Sequence, residues 1–67
     1  MRIKELRKSR GISQVRMAID LNTTQNTISR YENGEREPGI KELIAISNYF
    51  GVSVDYLLGL TDDPKRN

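Results

Sequence analysis

The apolar positions of this chain fall in short groups three and four residues apart, and no stretch alternates as a half-buried strand would. Ile3 and Leu6 form the first group, Met17, Ala18 and Leu21 a second, and Ile28 stands alone in a third stretch. Ile40, Leu43, Ile46 (with Ser47) and Phe50 make the longest run, at the spacing of one buried helical face. The residues between the groups read as helix ends. Gly11 suits the end of a first helix over about residues 2–10. Ser13 and Thr24 are caps for two helices of about two turns, the second of which ends at Asn33-Gly34. Pro38 interrupts the chain before a helix over about 40–50 that stops at Gly51. Ser53 then caps a last helix from Val54 to Leu58, closed by Gly59. The pattern predicts an all-α fold, a compact bundle of five short helices over residues 1–60. A flexible tail, 61–67, without apolar spacing follows.

The second and third helices carry the most information. Only Leu21-Asn22-Thr23 separates them, and Asn22 tolerates the positive φ that such a turn requires. Two short helices joined by so tight a turn describe a helix-turn-helix. Ala18 is small where the two helices should cross, while Met17, Leu21 and Ile28 should point inward. An ordinary helical hairpin would share this outline. It would not need the side chains that open the second helix, Gln25 and Asn26, with Ser29 and Arg30 behind them. An amide offers one donor and one acceptor, matching N6 and N7 of adenine in the major groove. Arg30 lies on roughly the same face one turn on, where it can reach guanine or a phosphate.

Ser13-Gln14, Met17-Ala18, Leu21, the run Thr24 to Arg30 and Tyr31-Glu32-Asn33-Gly34 together resemble the phage repressor/Cro (XRE-like) family of DNA-binding domains. Pro38-Gly39-Ile40, Leu43, Ile46, Phe50 to Asp55 and Leu57-Leu58 extend the match over roughly residues 2–59. The resemblance implies sequence-specific binding of double-stranded DNA, most simply as a repressor on a palindromic operator. It implies a two-fold dimer with half-sites about 34 Å apart. It also implies an ion pair between Arg7 and Glu32 that fixes the recognition helix to the scaffold. Backbone contacts are expected from Gln14, which can also support Gln25, and from Thr24 beside its capping role. Asn33, Arg36 and Lys41 complete the phosphate set, although Glu35 and Glu37 flank Arg36.

Composition narrows the alternatives. The chain of 67 residues has no Cys and no His, which removes thiolate metal sites and the usual general base near neutral pH. No catalytic or cofactor-binding constellation stands out, so neither enzyme activity nor a cofactor is expected. No apolar run could span a membrane and the start is charged, consistent with a cytoplasmic protein. Charge is lopsided. Residues 1–36 hold eight Lys/Arg against four Asp/Glu, or +4, and residues 37–67 hold three against five, or −2. A basic half containing the helix-turn-helix fits a DNA-facing side.

The dimer surface is expected around Tyr56, Leu57 and Leu60, and the small area predicts a weak free dimer that DNA strengthens. No effector domain follows the fold, so regulation is expected from a partner, from concentration or from further chain. Val15 and Ile19 depart from the polar residues the family has there. They either cover helix 1, stand as scattered exposed groups or form a partner patch. Two other functions keep the fold: an antitoxin-type regulator with a protein partner, and an interaction module that does not bind DNA.

Overall fold

Local chemistry starts and stops each helix of the computed structural model, which describes residues 1–65. Helix α1 covers Ile3–Ser9, α2 Gln14–Asp20, α3 Gln25–Glu32, α4 Ile40–Phe50 and α5 Val54–Leu58, and no strand occurs among the described residues. Ser13, Thr24 and Ser53 are extended N-caps whose hydroxyls accept from the backbone N–H three residues on, at Arg16, Thr27 and Tyr56. Each bond satisfies a first-turn donor that would otherwise lack a partner. The turn between α2 and α3 closes through Asn22, the one non-glycine at positive φ (56°) among the described residues. Gly51 leaves α4 at φ 68°, where a side chain would be strained.

One core joins all five helices. Ile3, Leu6, Met17, Ala18, Ile28, Tyr31, Ile46, Phe50, Val52 and Leu57 are buried together. Ile12, Leu21, Leu43, Tyr49 and Tyr56 close its edges. Met17, Ala18 and Ile28 are all buried beneath the helix-turn-helix, and Gln25, Asn26 and Arg30 on α3 are exposed. Tyr49 of α4 ties this unit down from below, its hydroxyl donating to Asp20 Oδ2 at 2.6 Å.

Two expectations change. Ile40 is 78% exposed rather than part of the buried face of α4. It is the first residue of that helix, directly after Gly39, and no preceding turn carries it over the core. Leu57, expected on a dimer surface, is fully buried and belongs to the core. The segment after Leu60, expected to be a flexible tail, makes contacts with the bundle over its described part. Arg2 Nη2 donates to Thr61 O at 3.3 Å and to Asp62 Oδ1 at 3.0 Å, and Ser53 N donates to Pro64 O at 3.1 Å. Arg2 also stacks its guanidinium on the Tyr56 ring, 4.4 Å from the centroid. The end of the expected tail, residues 66–67, lies outside the described residues.

Candidate nucleic-acid interface

Helix α3 begins with the side chains that sequence reasoning singled out. Gln25 and Asn26 are exposed in its first turn, Arg30 is exposed one turn on, and Ser29 is half-buried between them. Thr24 caps the helix and its hydroxyl lies 3.0 Å from that of Thr27, which is half-buried. Asn33 is the residue that ends the helix; its side-chain amide reaches Ser29 Oγ at 3.5 Å. Arg36 and Lys41 are exposed beyond it. The turn after α3 closes on Arg30 O, which accepts from Glu35 N at 2.9 Å and Arg36 N at 3.3 Å. Arg30, Arg36 and Lys41 form no ion pair among the described residues, so Glu35 and Glu37 do not neutralise Arg36 by direct contact. Arg16, by contrast, is paired with Asp20 at 2.8 Å.

Behind these exposed groups is a buried ion pair. Arg7 Nε donates to Glu32 Oε2 at 2.6 Å and Arg7 Nη2 to Glu32 Oε1 at 3.1 Å, a two-pronged contact between α1 and the end of α3. The Glu32 side chain is 1% exposed and that of Arg7 10%. The third guanidinium nitrogen, Arg7 Nη1, donates to Ile12 O at 2.8 Å. Burial works against the charge on Glu32. The bonds from Arg7 and Gln14 and the positive charges of Arg7 and Lys4 outweigh it, and its pKa falls below the ordinary glutamate value.

Gln14 joins this pair to the surface. Its Nε2 donates to Glu32 Oε1 at 3.1 Å, and its Oε1 accepts from Gln25 Nε2 at 3.3 Å. A polar chain thus runs from Arg7 through Glu32 and Gln14 to Gln25. Sequence reasoning brought Gln14 to Gln25, and Arg7 to Glu32, but missed the bond between the two pairs. Gln14 and Glu32 are 18 residues apart on different helices, a separation that leaves no local signature.

The remaining surface is mixed. Val15 and Ile19 are 49% and 64% exposed on α2, so they do not cover α1. Leu60 is 74% exposed and Tyr56 half-buried. A separate open groove of about 550 Å³ has a mixed lining that includes Met1, Leu43 and Leu58 with Asn33, Arg36 and Glu37. No helix among the described residues is long and apolar enough to cross a membrane.

Residues 3–57 match the family model described as "Helix-turn-helix". The chain is 41% identical over 66 residues to the HTH-type transcriptional regulator ImmR of Bacillus subtilis, covering 98% of this chain and 52% of the relative. It is 47% identical over 57 residues to the SPbeta prophage-derived uncharacterized HTH-type transcriptional regulator YonR of the same organism, covering 85% and 53%. A third B. subtilis relative, the uncharacterized HTH-type transcriptional regulator YqaE, is 46% identical over 56 residues, covering 84% and 48%. The chain therefore spans about half the length of these curated relatives. No solved structure matches.

Proposed function

The chain belongs to the helix-turn-helix family, and from that membership we propose that it binds duplex DNA in a sequence-specific manner and regulates transcription, acting as a repressor on a palindromic operator. One observation carries the reading. The exposed first turn of α3 presents Gln25 and Asn26, and Gln25 is held from behind by Gln14. Eight residues at about 1.5 Å each make α3 roughly 12 Å long, close to the width of the major groove. In this reading Gln25, Asn26, Ser29 and Arg30 face base edges. Thr24, Asn33, Arg36 and Lys41 face phosphates, and Gln14 adds one from the start of α2.

One such helix reads only a few base pairs, so two copies act together, with half-sites about one helical turn apart. The surface that joins them includes Leu60, 74% exposed, and Tyr56, half-buried. Leu57, fully buried, takes no part.

The test is selection of bound sites from a random duplex pool, followed by gel-shift titration of Gln25→Ala and Asn26→Ala. Each variant should lose about 1–3 kcal/mol on the selected site and relax the preference at one or two base pairs. Affinity for scrambled duplex should be unchanged. If the wild-type chain enriches no sequence, the domain is an interaction module, and exposed Val15 and Ile19 become the surface to examine.

A further inference from the structure

Helix α5 has five residues, and its last carbonyls are met by a residue from the other end of the chain. Arg2 N donates to Leu57 O at 2.9 Å, and Arg2 Nε to Tyr56 O at 2.9 Å. A cation at this end of a helix also suits its dipole. The same guanidinium lies over the Tyr56 ring and reaches on to Thr61 O and Asp62 Oδ1. The chain turns at Gly59, at φ 83°, and comes back to the start of α5, where Pro64 O accepts from the N–H of the cap residue Ser53 at 3.1 Å. The segment after Gly59 is thus clipped at both ends of α5.

Leu60 belongs to this clip, yet its side chain is 74% exposed. Its N–H donates to Asp55 O at 2.8 Å, and the carbonyl of the next residue is held by Arg2. A leucine on an untethered chain end would be ordered only on contact with a partner, which weakens binding. Here the backbone is fixed on both sides in advance. The charges beside it are mixed: Arg2 lies 3.5 Å from the carboxylate of Glu5 and 3.0 Å from that of Asp62, both exposed. A two-fold interface sets a patch against its own copy, where a patch of one sign repels itself and a patch of both signs does not. That charge pattern fits a second copy of this chain.

Resting on the two-copy reading proposed above, we infer that Arg2 is a positioning residue of the self-association surface, which by clipping residues 60–64 across α5 holds Leu60 outward and Tyr56 in place for a second copy. Arg2 acts through these two side chains. Leu60 supplies the apolar contact, and Arg2 removes the cost of ordering it when the copies meet.

Sedimentation equilibrium over a concentration series measures the dimer dissociation constant. It should rise about tenfold in Arg2→Ala, because each copy must then order its own Leu60 on contact. Arg2→Lys should not rescue it, since an ammonium lacks the planar fork that meets Tyr56 O, Thr61 O and Asp62 together. Asp62→Ala loosens the clip without touching the bonds from Arg2 to α5. It should leave the urea midpoint close to wild type, as expected for an exposed pair, while raising the dissociation constant about threefold. In a Leu60→Ala background, Arg2→Ala should add little.

Amide hydrogen exchange on the dilute, single chain reads the clip itself. The Ser53 N–H, bonded to Pro64 O, should be protected in the wild-type chain and exchange faster in Arg2→Ala and Asp62→Ala. An unchanged dissociation constant in Arg2→Ala, or a full further loss in the Leu60→Ala background, overturns the inference while the two-copy reading stands. So does a Ser53 amide that exchanges equally fast in all three chains. If the wild-type chain stays single at every concentration and on its selected duplex, the two-copy reading fails and the inference falls with it.

Discussion

Removing one partner of the Arg7–Glu32 pair should nearly unfold this domain. Glu32→Ala leaves the Arg7 guanidinium, 10% exposed, with Ile12 O as its one remaining partner. Arg7→Ala leaves a carboxylate, 1% exposed, with only the Gln14 amide. Stranding a buried charge in this way costs about 3–5 kcal/mol. A chain of this length has about 3–10 kcal/mol in total, at roughly 0.05–0.15 kcal/mol per residue. With a urea slope of about 1 kcal/mol per molar, the midpoint should fall by about 3 M or the transition should disappear.

The pH dependence identifies the cause. In the wild-type chain the pKa of Glu32 is depressed in the folded state. The stability it contributes is therefore fully present above the ordinary value near 4.5 and is lost as pH falls through the lower folded value. In Arg7→Ala the sign reverses, because an unpaired buried carboxylate has a raised pKa and gains by taking up a proton. The gap between wild type and Arg7→Ala should thus narrow as pH is lowered from 7 towards 4. Circular dichroism during urea titration at a series of pH values measures this. Equal midpoints for wild type, Arg7→Ala and Glu32→Ala at pH 7 would refute the reasoning and place both charges in water.

Three further outcomes are expected. If Arg30, Arg36 and Lys41 neutralise phosphates in each of two copies, log K against log salt should have a slope near −5, at about 0.9 per phosphate. Arg36→Ala should reduce that slope by about one per subunit, weakening all sequences alike. Leu60→Asp should abolish self-association in sedimentation velocity and weaken operator binding, whereas a tight dimer indifferent to it would shift attention to Val15 and Ile19. Replacing the pair together, Arg7→Met with Glu32→Leu, should recover most of the urea midpoint lost in either single alanine variant.

Much of the fold was legible because its boundaries are set by single residues acting locally. Hydroxyls at Ser13, Thr24 and Ser53 and the positive φ of Asn22 and Gly51 need only near neighbours to do their work. Ile40 was misread because spacing alone places it on the buried face. Spacing carries no record of where the helix begins, and a first-turn residue has no turn before it to carry it over the core. Leu57 was misread because a five-residue helix is too short to distinguish its inner from its outer face. The tie from Arg2 to Asp62 joins positions 60 residues apart, and nothing at either end announces it. In the candidate site, the exposed amides and the ion pair were each readable from residue type and family pattern. Their connection through Gln14 was not, because it depends on how α1, α2 and α3 meet.

That connection bears on why a domain this small keeps a buried charge pair. Well-packed apolar residues of similar volume generally stabilise a core as well as a buried ion pair, so stability alone does not account for Arg7 and Glu32. A carboxylate does something an apolar side chain cannot: it imposes hydrogen-bond polarity on the amide beside it. Gln14 connects that carboxylate over two bonds, of 3.1 Å and 3.3 Å, to a side chain at the surface. An isolated glutamine in solvent samples both faces of its amide. Held from behind by Gln14, Gln25 is partly ordered in advance, and in the proposed DNA-binding function it should lose less conformational freedom on contact. The doubly apolar variant Arg7→Met with Glu32→Leu separates the two roles: it should keep the fold while the Gln14 amide loses its carboxylate partner and becomes mobile in 15N relaxation.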